Sequence, residues 1–455
     1  MYAKLSVTLC SMALLTGLVA SATPAEAAST PSKINSVKAV AGPGVGQVTI
    51  RWSQDGRNTS AFKIETGLTS FSKSKSSSLP TSGRNARVFT ISKTRRSWTM
   101  SAGQASAAGA STGSANHLYF RLSAVNGSTT RAYPYLQAVL PKATATKAKG
   151  SALRIASFNI RSAKLGGSRQ WLRRATDVAR EIRNQNPGIV AVQELSPGRA
   201  DGKKASTTGS VRQTASLVHA MRSAGAGKYK LVRETPYIKP GITHNTQGTR
   251  ILYDTSRYSL ISRCSDKTGK RNYSGSCSMD LPKLSSDGRN AIRSAAYARF
   301  QDRRTGARMW VASVHLDSRH SSNRTKEHAY EALRARQIQA VNARLAKLNT
   351  TGDKVVIAGD INTWQNNKGG YQAHDHMVRA GFFDAANAQT RVNLQYPTIN
   401  HFKTQLKPGA NGFGSRIDAI MVKGSRGAKR FVNVMKPVDS SRPSDHNMIV
   451  ADLVL

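Results

Sequence analysis

The hydrophobic rhythm of the chain changes twice. Residues 5–22, LSVTLCSMALLTGLVASA, form one apolar stretch behind Lys4, and TPAEAAS follows with small residues at Ala25 and Ala27. A positive start, a short apolar run and a small-residue end describe an export signal, residues 1–28, cleaved near Ala27 or Ala28. The run is too short, and too rich in Ser, Thr and Gly, to read as a membrane span. From Lys33 to Pro141 the pattern becomes short alternating runs, GQVTIRW, AFKIET, ARVFTI, SWTM and HLYFRLSAVN, separated by Gly, Ser and Asn clusters. Alternation with period two, broken by turn formers, predicts a small all-β sandwich over 33–141. PKATATKAKGSA, from Pro141 to Ala152, holds no large apolar residue, and 142–152 reads as a linker.

After the linker the apolar runs lengthen and helical periodicity appears. LRIASFN and PGIVAVQEL have strand length. Between them, SRQWLRRATDVAREIRNQN places Leu172, Ala175, Val178, Ala179 and Ile182 on one helical face, with Ser168 as the expected N-cap. Strands are expected at TRILYD, AIRSAAYARF, MWVASVHLDS, DKVVIAGDIN, SRIDAIMV and NMIVADLVL, with a long helix around Glu327 to Lys347. Many strands with a few helices, reaching the last residue, describe one α/β domain over 153–455.

Composition adds a partner class. Lys and Arg number 68 against 24 Asp and Glu, a formal net charge of +44, and both units carry the excess. That imbalance says little about fold but predicts attraction to polyanions: nucleic acid, anionic lipid, or anionic cell-wall and matrix polymers. The β unit and linker hold only Asp55 and Glu65 as acids, so no carboxylate cluster for a metal is available there, and a basic accessory role is expected. With Cys10 in the signal, Cys264 and Cys277 remain, and an even pair in an exported chain reads as a disulfide. Closing that loop contributes about 3 kcal/mol in the chain-entropy picture. A secreted monomer with no membrane span after signal removal is the expectation.

The chemistry-bearing residues all end apolar strands. Asn159 closes LRIASFN, Glu194 follows IVAVQ, His315 closes WVASV, Asp360 and Asn362 follow VVIAG, Asp418 lies in SRIDAI, and Asp445 and His446 form SDH before the last strand. Singly, each is an ordinary turn or cap former. In order, Asn, Gln-Glu, His-Leu, Gly-Asp-x-Asn, Arg-Ile-Asp and Ser-Asp-His resemble the superfamily of metal-dependent endonucleases, exonucleases and phosphatases, over about Leu153 to Leu455. The match is strongest with secreted deoxyribonucleases and their bacterial relatives. The resemblance implies a four-layer α/β sandwich of two packed mixed sheets flanked by helices. In the first unit, Trp52 on an early strand and Tyr119 in HLYFRLSAVN resemble the fibronectin type III domain.

Phosphodiester hydrolysis needs charge neutralised at phosphorus, a water aimed in line and a stabilised leaving oxygen. A hard cation keeps several waters, so one or two carboxylates hold it. Beside the resemblance this makes Glu194 the first metal ligand and Asp445 the second, with Asn159 aiding metal or phosphate placement. Mg²⁺ is the expected ion, with Mn²⁺ or Ca²⁺ as alternatives. The resemblance implies that Asp360 orients or deprotonates the attacking water, that Asn362 hydrogen-bonds phosphate, and that His315 serves near the leaving group. The Asp418–His446 pair follows orienter-and-base logic; which histidine is acid and which is base stays open. Zinc is the competing ion, and HDH at His374 to His376 the tempting ligand cluster, but a solvated surface pair accounts for it.

Two positions depart from the pattern. Some repair-type members carry an acid two residues after the motif Asn, where this chain has Arg161, which argues against abasic-site repair. HNTQGTRIL contains no acid, so no orienter for His315 is evident. Among substrates, nucleic acid is expected, DNA ahead of RNA. Inositol phosphatases usually show Cys-Asp-Arg where this chain has SRIDAI, and aromatics at 6% supply no bilayer-entering hairpin of the kind sphingomyelinases use. Arg161, Arg199, Arg250 and Arg416 adjoin motif strands and are candidate phosphate-backbone contacts. Sphingomyelinase-type activity and a non-catalytic polyanion-binding protein stand as the alternatives.

Overall fold

In the computed structural model the described residues are 28–67, 87–107, 117–133, 137–142, 152–163, 167–195, 198–203, 211–233, 248–264, 277–288, 293–409, 412–425 and 427–455. Residues 1–27 of the expected export signal and most of the expected linker lie outside them.

The N-terminal unit is two antiparallel sheets. Ser36–Ala41, Val48–Ser53 and Ser97–Thr99 make the smaller. Arg87–Ser92, Ala61–Gly67, Leu118–Asn126 and Thr129–Ala132 make the larger, with Gln137–Val139 also pairing on Leu118–Asn126. Alternating residues turn inward: Val48, Ile50 and Trp52 from one sheet meet Phe62, Ile64, Phe120 and Leu122 from the other. Trp52 meets Phe62 edge-on at 5.0 Å between ring centres, the geometry that ring quadrupoles favour.

The remainder is a layered α/β domain. One seven-stranded sheet runs, in spatial order, Tyr229–Leu231, Arg250–Asp254, Ile189–Gln193, Ala152–Asn159, Met448–Val454, Ala428–Val434 and Thr390–Val392. The second runs Tyr258–Leu260, Ser294–Asp302, Arg308–His315, Lys354–Asp360, Asp418–Lys423 and Phe383–Asp384, with Ser278–Asp280 also pairing on Ser294–Asp302. Period two sorts each strand between two cores. In Ala152–Asn159, Leu153 and Ile155 face the second sheet, whereas Ala156 and Phe158 face the helices outside. By the same alternation Ser157 and Asn159 point between the sheets. Ile189 and Ala191 also face inward, which carries Gln193 inward with them.

The helices close the outer faces. Trp171–Gln185 and Gln213–Ser223 cover the first sheet, while Arg324–Leu348 brings Ile338, Val341 and Leu345 against the second. The architecture is thus the expected four-layer sandwich preceded by a small β domain. Helix Trp171–Gln185 differs in phase from the expected face. Trp171 is fully buried and Leu172 is 55% exposed, so the inward stripe is Trp171, Arg174, Ala175, Val178, Ala179 and Ile182. Ser168 sits in a preceding 3₁₀ turn, and Gln170, with no side-chain cap, opens the helix. The aromatic outbids its neighbour because the larger surface gains more from burial, and its indole nitrogen still donates to Ser216 Oγ at 3.0 Å.

The two units meet through residues of Leu118–Asn126 and Gln137–Val139. Tyr119, Ala138 and Leu140 belong to the core of the α/β domain, not to that of their own sandwich. Cys264 and Cys277 are bonded, with Cα atoms 5.4 Å apart. No described helix is long and apolar enough to cross a membrane.

The helix phase is directly testable. Trp171→Ala should cost about 3–5 kcal/mol of unfolding free energy, and Leu172→Ala less than about 0.5 kcal/mol, read by denaturant unfolding. Equal losses would restore Leu172 to the buried face.

Candidate active site

Strand register builds the site. In the second sheet, His315 pairs with Asp360 across parallel strands and Asp360 with Asp418 across antiparallel ones, so three motif residues stand in one row. In the first sheet Asn159 pairs with Gln193, and Glu194 follows at once. Gly359 allows the row to form, since a Cβ there would lie 2.0 Å from the Val314 carbonyl oxygen. Below the row runs a narrow polar seam. Ser157 Oγ donates to Gln193 Oε1 at 3.3 Å, and Gln193 Nε2 donates to Ser313 Oγ at 3.1 Å. Small hydroxyls and an amide there satisfy one another while the sheets stay close.

The two rows are joined by Asn159. Its Nδ2 donates to Asp360 Oδ2 at 3.0 Å and lies 3.4 Å from Glu194 Oε1, and its Oδ1 accepts from the Arg161 amide at 3.1 Å. Ser162 N donates to the other Glu194 oxygen at 3.0 Å. His446 Nδ1 faces Asp418 at 3.0 Å, and Thr398 Oγ1 accepts from the Asp418 amide. Two imidazoles flank Asp360: His315 Nε2 at 3.5 Å and His446 Nε2 at 3.8 Å from Oδ2. Ser444 Oγ donates to the Asn159 carbonyl at 2.6 Å, which ties the Ser-Asp-His turn to the first motif. Asn362 N donates to Asp360 Oδ1 at 2.9 Å and its Nδ2 donates to the Leu316 carbonyl at 3.0 Å, so it fixes the loop around Asp360.

Burial sets the proton equilibria. Asp360 is pushed up because burial disfavours its charge, although His446 pulls the other way. For His446, burial opposes the cation, but the carboxylates of Asp418 and Asp360 outweigh it and the imidazole stays protonated well above its ordinary range. His315 is driven far down by burial, helped by Arg293 and His446, and stays neutral. Its Nδ1 is buried and has no hydrogen-bond partner among the described residues. The segment HNTQG, which holds no acid, lies largely outside them.

The oxygen donors of the site fit a divalent ion. Glu194 Oε1 and Asp445 Oδ2 each lie 3.5 Å from the same Arg161 nitrogen, Nη1. Two carboxylates therefore converge on one cationic position, with the Asn159 amide beside it, and an oxygen-rich set of this kind suits a hard cation. Asp360, Asp418 and His446 also lie within ligating distance of one another.

Several residues stand where the sequence reading did not put them. Arg416 and Arg250 are not phosphate contacts. Both guanidinium groups are buried in the fold, Arg416 bidentate on Asp384 (Oδ1 at 3.2 Å) and Arg250 donating to the Thr249 carbonyl. Arg199 closes on Asp201 at 2.9 Å. His374 is not a solvated surface residue but fully buried, with Nε2 2.9 Å from Asp384 Oδ2 and its ring stacked on Tyr371. His117 of the N-terminal unit packs on it at 4.7 Å, and His117, His374 and Asp384 form a second group within ligating distance. Arg416 already supplies Asp384 with its cation, so this group is read as the polar core of the junction between the units.

Three supporting residues were missed. Arg174 donates to the carbonyls of Ile160, Arg161 and Pro443, pinning the first and last motif loops together. Its place on the apolar stripe is the signal, once Trp171 sets the phase. Arg293 lies close enough to act electrostatically on His315, with one guanidinium nitrogen buried and without a hydrogen-bond partner among the described residues. His401, exposed, donates its amide to the Asp445 carbonyl at 3.0 Å. Neither carries a distinguishing local pattern.

Paired strand ends, a histidine held by an aspartate and converging carboxylates thus gather at one end of the two packed sheets. The chain belongs to the endonuclease/exonuclease/phosphatase family, which matches residues 156–446. Among solved structures it is similar to an endonuclease/exonuclease/phosphatase family protein from Bacteroides thetaiotaomicron, at 20% identity over 68% of this chain and 99% of that one, TM-score 0.47. A mannosyl-6-phosphatase from the same organism matches at 20% over 67% and 100%, TM-score 0.45. TDP2 from Caenorhabditis elegans, a truncated form, matches at 18% over 68% and 99%, TM-score 0.43. No curated protein matches the chain.

The burial of Arg416 gives a clear expectation. Arg416→Met strands the Asp384 charge and should lower unfolding free energy by about 3–5 kcal/mol, read by denaturant unfolding. Unchanged stability would return the guanidinium to the exposed surface.

Proposed function

We propose that the chain is a secreted, divalent-metal-dependent phosphodiesterase that cleaves nucleic acid, DNA ahead of RNA, internally and with little sequence preference. One observation carries this reading: Asn159 links Glu194 to Asp360 across the two sheets while His446, held by Asp418, faces the same Asp360 oxygen. The basic excess supports a polyphosphate substrate, because each Lys or Arg contact with a phosphate releases counterions. Export is supported by the N-terminal apolar run and by the Cys264–Cys277 bond, which suits an oxidising compartment. The two-sheet arrangement around Trp52 supports a fibronectin type III-like N-terminal unit, an accessory to binding.

Glu194 and Asp445 would hold the ion, Mg²⁺ by choice, with Asn159 steering Glu194. When bound, such an ion supplies neutralisation of charge on the phosphoryl and leaving oxygens. Asp360 takes a proton from the attacking water; its raised pKa places it near the operating pH, where a general base works best. His446, kept cationic by Asp418, donates to a phosphate oxygen or the leaving group. His315 is neutral, so it serves as a hydrogen-bonding group beside Asp360 and leaves proton donation to His446. Arg293 and Arg161 offer cations to the phosphate.

The purified chain should cleave plasmid DNA with Mg²⁺, lose that activity with chelator and lose it progressively at high salt. His446→Ala should cost about 10²–10⁴-fold in turnover, with a comparable loss for Glu194→Ala. Unchanged turnover in either variant removes the site assignment, and cleavage of sphingomyelin liposomes or RNA in preference to DNA moves the substrate.

The pH profile follows from the same groups. Asp360 is pushed up to about 7 and must be ionised to act, so kcat/KM should rise through neutrality. His446 must keep its proton, and its elevated pKa holds the alkaline fall well above the ordinary histidine range. An acidic limb near pH ~4, where an unperturbed carboxyl titrates, would take Asp360 out of the base role.

A further inference from the structure

Arg161 follows the first motif by two residues, and its backbone and side chain are held very differently. The backbone is left-handed, with φ of 57°. It is pinned by three hydrogen bonds: its amide to Asn159 Oδ1 at 3.1 Å, and its carbonyl from Arg174 Nη2 at 3.2 Å and Gln213 Nε2 at 3.1 Å. The side chain is 36% exposed and reaches the site through Nη1, at 3.5 Å from both Glu194 Oε1 and Asp445 Oδ2. Its buried Nε has no hydrogen-bond partner among the described residues. Contacts at 3.5 Å are ion pairs without hydrogen-bond closeness, so the guanidinium is held by charge alone on a fixed stem.

That charge has a definite task. Two carboxylates facing each other out of full solvent are costly without a cation between them, and a guanidinium cannot be neutralised by losing its proton. The position that Arg161 fills is also the one on which the metal-ligating carboxylates converge. A divalent ion and a guanidinium cannot share it, because like charges a few ångströms apart repel strongly at a partly buried site.

We infer that Arg161 is the resident counter-cation of the metal site, displaced when a divalent ion enters and thereby freed to bind the substrate phosphate. The inference rests on the proposed metal-dependent reading and deepens it. Ion loading and phosphate recognition become one linked event. By thermodynamic reciprocity a bound phosphodiester, by holding the guanidinium outside, tightens the ion by the same factor that the ion tightens the phosphodiester. The chain would thus stay quiet at low ion concentration and assemble its site only with ion and polyanion together.

The test uses the full-length chain, freed of metal and without substrate, titrated with Mn²⁺ while free Mn²⁺ is followed by electron paramagnetic resonance. Wild type, Arg161→Gln and Arg161→Lys are compared, with thermal unfolding as the control for folding. Removing the competitor should tighten Mn²⁺ at least tenfold in Arg161→Gln, while Arg161→Lys, which keeps a charge on the stem, stays near wild type. A second arm measures a labelled DNA duplex on an Asp360→Asn background, where cleavage is blocked. Mn²⁺ should tighten the duplex, and adding Arg161→Gln should remove most of that tightening. Equal or weaker Mn²⁺ affinity in Arg161→Gln overturns the inference and leaves the metal site standing. No Mn²⁺ binding in any of the three proteins removes the metal reading itself, and the inference with it.

Discussion

The structure turns on one hydrogen bond between its two sheets. Asn159 Nδ2, at the end of a strand in the first, reaches Asp360 Oδ2 at the end of a strand in the second, 3.0 Å away, with both groups buried. Every other feature of the site follows from keeping that contact. The sheets must approach closely, hence the small polar seam of Ser157, Gln193 and Ser313 and the glycine before Asp360. Burial makes the Asp360 carboxylate expensive, hence the two flanking imidazoles and the amide. The acids cannot share so small a volume without cations, hence His446 on Asp418 and Arg161 on Glu194 and Asp445. A surface version of the same residues would lose most of this coupling to water and salt.

The N-terminal unit is built into the same arrangement. His117 and Tyr119 pack into the α/β domain beside His374, Tyr371 and Phe413. There Arg416 holds Asp384 from a position two residues ahead of Asp418. The junction between the units thus lies directly behind the strand that carries the orienter of His446. A basic unit fixed in this way presents its charge in a constant geometry relative to the α/β domain, which a freely tethered one would not.

How much of this the sequence discloses depends on what each residue answers to. The motif residues were legible because strand ends after apolar runs are a local pattern, and six of them in order leave little room for coincidence. The layered fold came with them. Arg250, Arg416 and His374 were misread because charge suggests exposure, and only tertiary packing shows that Asp384 gathers Arg416 and His374 inside. Leu172 was misread because Trp171 and Leu172 are adjacent apolar residues and the local pattern cannot set the phase of the stripe; the volume of the core does. Arg174, Arg293 and His401 depend on which loops meet, information that no window of sequence contains. That Glu194 and Asp445 share Arg161 is of the same kind, since the residues come from opposite ends of the domain.

The account stands on a single cation position between the two sheets. A crystal of the full chain soaked in Mn²⁺, examined by anomalous scattering, reads that position directly. The account predicts a peak bound by Glu194 and Asp445, beside Asn159, with the Arg161 side chain moved outward. A peak at His117, His374 and Asp384 with nothing near Glu194, or none in the protein at all, would contradict it.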